Sequence, residues 1–130
     1  MLQLNKLVDG LLGNATAVDL NSLYSELSPI LADGETLSAA FQVIRDKWAF
    51  TNRRLIMIDV QGLTGSKVSY HSIPYKSITH FVVETAGTFD DDGEMMIWVS
   101  GSAEPFRQEF SRNVDVKSIQ KTLSNHLFNQ

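Results

Sequence analysis

Between Thr36 and Phe110 apolar side chains recur at every second residue, in seven short runs separated by polar or glycine-containing turns. Such alternation gives each run one apolar face, because successive side chains of a strand point to opposite sides. On either side of this stretch the spacing changes to three and four, the period of an amphipathic helix. Seven antiparallel strands do not stay flat with two bare edges. They curl into two packed sheets or a nearly closed barrel.

The front holds two helical stretches. Leu4, Leu7, Val8, Leu11 and Leu12 form one stripe, which Gly13-Asn14 ends. Val18, Leu20, Leu23, Tyr24 and Leu27 form a second, with Thr16 or Asp19 as cap and Pro29 disfavouring helix at Ser28. Asp33-Gly34 closes the front with a turn. Strands are expected at 36–44, 48–51, 55–60, 67–73, 77–84, 95–99 and 106–110. The first places Leu37, Ala39, Phe41 and Val43 on one side. Arg45-Asp46-Lys47 and Asn52-Arg53 are the tight breaks around the second. Pro74 removes a ladder donor and marks the end of the fourth strand or an edge. Val116, Ile119, Gln120, Leu123 and Leu127 then restore the helical stripe. They predict a helix over about Asp115 to Leu127, with the Asp115 carboxylate at its positive end. A helix of that length suits the open end of a barrel. The expected organisation is a helical extension over 1–32 and one domain over 33–130.

A chain of 130 residues suffices for one domain that hides about two-thirds of its unfolded surface. Hydrophobic residues at 43% supply a core and argue against intrinsic disorder. No segment approaches the roughly 18 unbroken apolar residues of a membrane span. Met1 to Leu12 mixes Asn, Lys and Asp among its leucines without a cleavage-site pattern, so no secretory leader is expected. Zero cysteines remove disulfides, thiolate metal ligands and cysteine nucleophiles together. With 15 acidic against 11 basic side chains the net charge is -4, which argues against a nucleic-acid partner.

Catalytic patterns are absent from the sequence. No G-x-S-x-G elbow occurs, and His71, His80 and His126 lie on different elements without forming an H-x-x-x-H pair. No enzyme activity, cofactor or metal is therefore expected. Asp90-Asp91-Asp92-Gly93-Glu94 fails the calcium-loop template, since the sixth position is Met95 rather than glycine. It suits a solvated hairpin turn. The glycines of Gln61 to Lys67 lie between two strands, whereas a phosphate loop joins a strand to a helix.

Seven strands closed by one helix is the order of the pleckstrin-homology fold, and particular blocks are more specific than the order. Ile44-Arg45-Asp46-Lys47, Phe50-Thr51-Asn52-Arg53-Arg54-Leu55-Ile56 and Asp59-Val60-Gln61-Gly62-Leu63-Thr64-Gly65 resemble the bacterial pleckstrin-homology-like domain family. So do Tyr70-His71-Ser72-Ile73-Pro74-Tyr75, Glu84-Thr85-Ala86-Gly87-Thr88-Phe89-Asp90 and Ile97-Trp98. The resemblance spans about Leu31 to Leu127. It implies a mainly β fold, a pleckstrin-homology-like seven-stranded antiparallel barrel or sandwich with a capping C-terminal helix. It also implies a small non-enzymatic domain that assembles into symmetric rings, with a part in envelope stress and no established ligand residue.

Two functions are consistent with these observations. The first is a cytoplasmic, self-assembling protein-interaction scaffold. Trp48, Phe50, Ile56, Ile58, Phe81, Val83 and Ile97 occupy both parities of their strands. That is expected where a second face meets another layer or another chain. Trp48, Phe50 and Tyr75 are the expected contacts of a homo-oligomer, a ring closed by a heterologous interface. The front helices covering their own sheet would serve the same apolar face equally well. The alternative is an anionic-ligand or membrane-surface module. In eukaryotic pleckstrin-homology domains, basic residues around the first hairpin hold phosphoinositide head groups, and Arg45, Lys47, Arg53 and Arg54 are the candidates here. Asp46 sits between the first two, and the turn is short. Partners are thus copies of the chain and an unidentified protein, with any membrane contact peripheral.

Overall fold

A computed structural model describes residues 19–43, 45–85, 93–110 and 115–129. The first front helix expected from Leu4 to Leu12, the acidic run Asp90 to Asp92 and Ile44 lie outside them. The chain runs through α1 (Leu20–Leu27), β1 (Leu37–Val43), β2 (Asp46–Thr51), β3 (Arg54–Gln61) and β4 (Lys67–Pro74). A 3-10 turn (Tyr75–Ser77) leads into β5 (Ile78–Glu84), β6 (Gly93–Val99), β7 (Phe106–Phe110) and α2 (Val116–Phe128).

Both helices start where a carboxylate can satisfy their free amide donors. Asp19 Oδ1 accepts from the Asn21 and Ser22 amides at 3.0 and 3.2 Å, which sets the start of α1. Asp115 accepts from the Ser118 amide at 3.1 Å and from its hydroxyl at 2.8 Å, doing the same for α2. The strands form two antiparallel sheets, ordered β1-β2-β3-β4 and β5-β6-β7. The expected mainly β architecture with its closing helix is therefore the observed one.

The first turn is tighter than the sequence suggests. Asp46 and Lys47 already pair with Val43 and Gln42, so only residues 44 and 45 join the strands. Leu37 also departs from its expected face. The register shifts between Leu37 and Ala39, and this irregularity turns Leu37 to the side opposite Ala39, Phe41 and Val43.

The space between the sheets is filled by Phe41, Trp48, Phe50 and Leu55 from the first and by Met95, Ile97 and Phe110 from the second. Ile119 and Leu123, one turn apart on α2, close it. A second buried cluster lies on the opposite face of the larger sheet. There Leu20, Leu23 and Leu27 of α1 cover Leu37, Ala40, Ala49, Ile56 and Ile58. Ala40 and Ala49 pair with each other across β1 and β2, and their small side chains leave room for the helix. The three helix leucines are fully buried, and at roughly 1.5–3 kcal/mol each their burial contributes about 6 kcal/mol. β2 and β3, apolar on both faces, thus sit in the middle layer of three, whereas β5 and β6, which carry Phe81, Val83 and Ile97, belong to the outer sheet.

Candidate functional site

β2 has a polar end, and Glu35 organises it. The Glu35 carboxylate accepts from Arg54 Nε at 2.8 Å, Arg54 Nη2 at 3.0 Å, the Thr51 hydroxyl at 2.6 Å and the Ala32 amide at 2.9 Å. Burial by itself would raise its pKa, but these donors outweigh it and bring the group down to about 2. Thr51 Oγ1 in turn accepts from the Arg53 and Arg54 amides, both at 3.0 Å, which shapes the β2–β3 turn. Asn52 ties that turn to the preceding segment, accepting from the Thr36 amide at 2.8 Å and donating to the Gly34 carbonyl at 3.1 Å.

This scaffold holds one wall of a cleft of about 380 Å³. Its lining joins the β2–β3 turn (Asn52, Arg53), the 3-10 turn (Tyr75, Lys76) and the end of α2 (Asn125, His126, Asn129). The Tyr75 hydroxyl donates to the Thr51 carbonyl at 2.7 Å, and burial pushes its pKa upward. His126 lies between two parallel rings, with centroids 4.6 Å from Tyr75 and 5.9 Å from Phe50. Its Nε2 is 3.2 Å from Ser38 Oγ, and burial lowers its pKa, which favours the neutral ring.

The four cations expected to share a ligand do not converge. Arg45 and Lys47 lie at one end of β2, while Arg53 and Arg54 lie at the other, about 20 Å away at about 3.3 Å per residue. Arg45 Nη2 donates to the Gly62 carbonyl at 2.7 Å, and Gly62 adopts a φ of 81° that side chains rarely take. Arg54 is spent on Glu35, Ser72 Oγ and the Ile30 carbonyl. Only Arg53 of the four lines the cleft. A second cleft of about 390 Å³, at the Arg45 end, is lined by Asp46, Asp59, His71 and Arg107 among others and is of mixed charge.

The three expected interface residues are internal as well. Trp48 is 1%, Phe50 0% and Tyr75 4% exposed. Trp48 and Phe50 face the space between the sheets, and the other face of β2 meets α1, so this conformation leaves neither any surface for a second chain. The remaining histidines are separate from the cleft lined by His126 or at its flank: His71 meets the edge of Phe106, and His80 stacks on Trp98, both at 4.5 Å. Lys76, Asn125 and Asn129 carried no motif in the sequence. They belong to the 3-10 turn and the end of α2, which only folding brings together.

Among the described residues no helix is long and apolar enough to cross a membrane. The Bacterial PH domain family model matches residues 6–127. The uncharacterized protein YjqA of Bacillus subtilis (strain 168) is 48% identical over 118 residues, covering 90% of this chain and 94% of that protein. YozO of the same organism is 30% identical over 102 residues, 78% of this chain and 87% of the relative. A crystallised pleckstrin homology domain from Shewanella amazonensis SB2B superposes with a TM-score of 0.84 at 57% identity, over 92% of this chain and 97% of that one. A pleckstrin-homology protein from Shewanella loihica PV-4 gives 0.78 at 56% identity, over 88% and 98%. The spaced sequence blocks, the two-sheet fold and these matches agree: the chain belongs to the bacterial PH domain family.

Proposed function

We propose that the chain is a non-enzymatic binding domain that associates with copies of itself into a closed ring. The observation that supports this best is β5. Among the described residues it is hydrogen-bonded within its sheet only to β6, so its other side offers a row of backbone donors and acceptors. Beside it runs a groove of about 560 Å³ whose lining includes Ile78, Phe81, Leu127 and Phe128. Phe128 is 72% exposed, and Val82 on β5 is exposed too. An edge strand flanked by a groove of mixed polar and apolar lining suits strand addition, and a head-to-tail contact whose rotation closes produces a ring. Trp48, Phe50 and Tyr75 drop out of this interface, which is carried by β5 and the end of α2 instead.

Light scattering coupled to size exclusion tests the reading. At micromolar concentration the mass should be a multiple of 14.5 kDa. Val82→Lys, on an exposed position of the edge, should shift it toward one copy while leaving the fold intact. A wild-type chain that elutes as a single copy across that range overturns the proposal. The same reading takes the assembly as cytoplasmic and engaged in envelope stress; fractionation of cells and growth of a deletion strain under cell-wall damage check those two parts.

A further inference from the structure

We infer that the cleft between the β2–β3 turn, the 3-10 turn and the end of α2 binds a small phosphoryl-bearing solute, with Arg53 and Lys76 as its charge partners. The net charge of the chain is -4, yet among the described residues this concavity is lined by two cations and no carboxylate. Both cations are exposed, and neither side chain has an ion pair or hydrogen bond among the described residues. Glu35 does not neutralise them: its side chain is 1% exposed and occupied by Arg54, Thr51 and the Ala32 amide.

The remaining lining suits the periphery of such a ligand. Asn125 and Asn129 sit four residues apart, on one side of the last turn of α2. Their carboxamides have no hydrogen-bond partner among the described residues, and each both donates and accepts. A hydroxylated skeleton could therefore be held beside the anionic group. The C-terminal end of α2 carries about half a negative charge, which offsets only part of two full cations. The volume of about 380 Å³ falls within the size range of small-molecule sites.

The walls are also fixed before any ligand arrives. Asn52 is held by Thr36 and Gly34, Tyr75 by the Thr51 carbonyl, and His126 by its two ring neighbours. Preorganised walls reduce the ordering cost of binding. The site lies at the opposite end of β2 from the Arg45 turn, and it shares Tyr75 and Lys76 with the groove beside β5.

The probes are inorganic phosphate, glycerol 3-phosphate and uncharged glycerol, titrated into the 15N-labelled full chain, with phosphatidylglycerol vesicles in a separate sedimentation arm. Phosphate and glycerol 3-phosphate should shift the Arg53 and Lys76 amides and the Asn125 and Asn129 side-chain amides, with glycerol 3-phosphate the tighter. Arg53→Gln or Lys76→Gln should each weaken binding by about tenfold, the scale of one charge-assisted hydrogen bond, with the melting temperature unchanged. Vesicle binding lost in the same variants would identify the phosphoryl source as a lipid headgroup and equally support the site. Absence of binding in every arm overturns the inference. So does phosphate binding that survives the double substitution, or shifts that map to the Arg45 end.

Discussion

Arg54 grips Glu35 through two contacts, Nε to Oε2 at 2.8 Å and Nη2 to Oε1 at 3.0 Å. The pair links the segment entering β1 to the start of β3, and the same carboxylate holds Thr51 at the end of β2. Three stretches of chain are joined by one buried anion. The cleft walls inherit their position from it, because Thr51 in turn fixes the Arg53 amide and anchors Tyr75.

Glu35→Gln should therefore cost about 3 kcal/mol of stability, the lower part of the range for breaking a buried pair. The lower part applies because Arg54 keeps Ser72 Oγ and the Ile30 carbonyl as partners. Urea denaturation measures it. A loss below about 1 kcal/mol would mean the pair behaves like an exposed one.

Acid should act through the same residue. Its folded pKa of about 2 lies below the ordinary 4.5, so the unfolded chain binds the proton more readily between those values. The contribution is complete above pH 4.5 and is lost as the pH falls toward 2. Urea midpoints between pH 6 and 2.5 should fall less steeply for Glu35→Gln than for wild type. Parallel curves would contradict the assignment.

His126 gives a second, milder pH dependence. Burial lowers its pKa from 6.5, so protonation is easier in the unfolded chain. Its contribution is present above pH 6.5 and declines as the pH falls through the folded value. His126→Phe keeps a flat ring between Tyr75 and Phe50 and removes the titration. Thermal melts at pH 7 and 5 should differ less for that variant than for wild type.

Leu23→Ala should lower stability by about 3 kcal/mol, since it opens a cavity between α1 and the outer face of the larger sheet. Tyr24→Ala, one residue along and exposed, should stay within about 0.5 kcal/mol. Equal effects of the two substitutions in urea titrations would show that α1 does not seat on Ile56 and Ile58 as described.

The strands were legible because period-two patterning is a local property of each run. Expected and observed boundaries differ by a residue or two, as in β6, which begins at Gly93 rather than Met95. The helix expected over about Asp115 to Leu127 is observed at Val116–Phe128 with Asp115 as its cap. The spacing of Leu37 matches Ala39 and Phe41, yet a register shift in the pairing with β2 reverses its face, and no local pattern marks that shift. The alternation of β2 told correctly that both its faces are apolar. It carried no information about which layer each face would meet.

What the sequence by itself determined was the list of elements, their order and the family, because patterning, caps and turns act over a few residues. What only the tertiary structure decided was the use of each polar side chain. Arg53 and Arg54 are neighbours in the chain, yet one is committed to a buried carboxylate and the other lines a cleft. Whether a cation is spent or available depends on the distance to groups far away in sequence. Electrostatic and hydrogen-bond energies fall off within a few ångströms, and no periodicity encodes those distances.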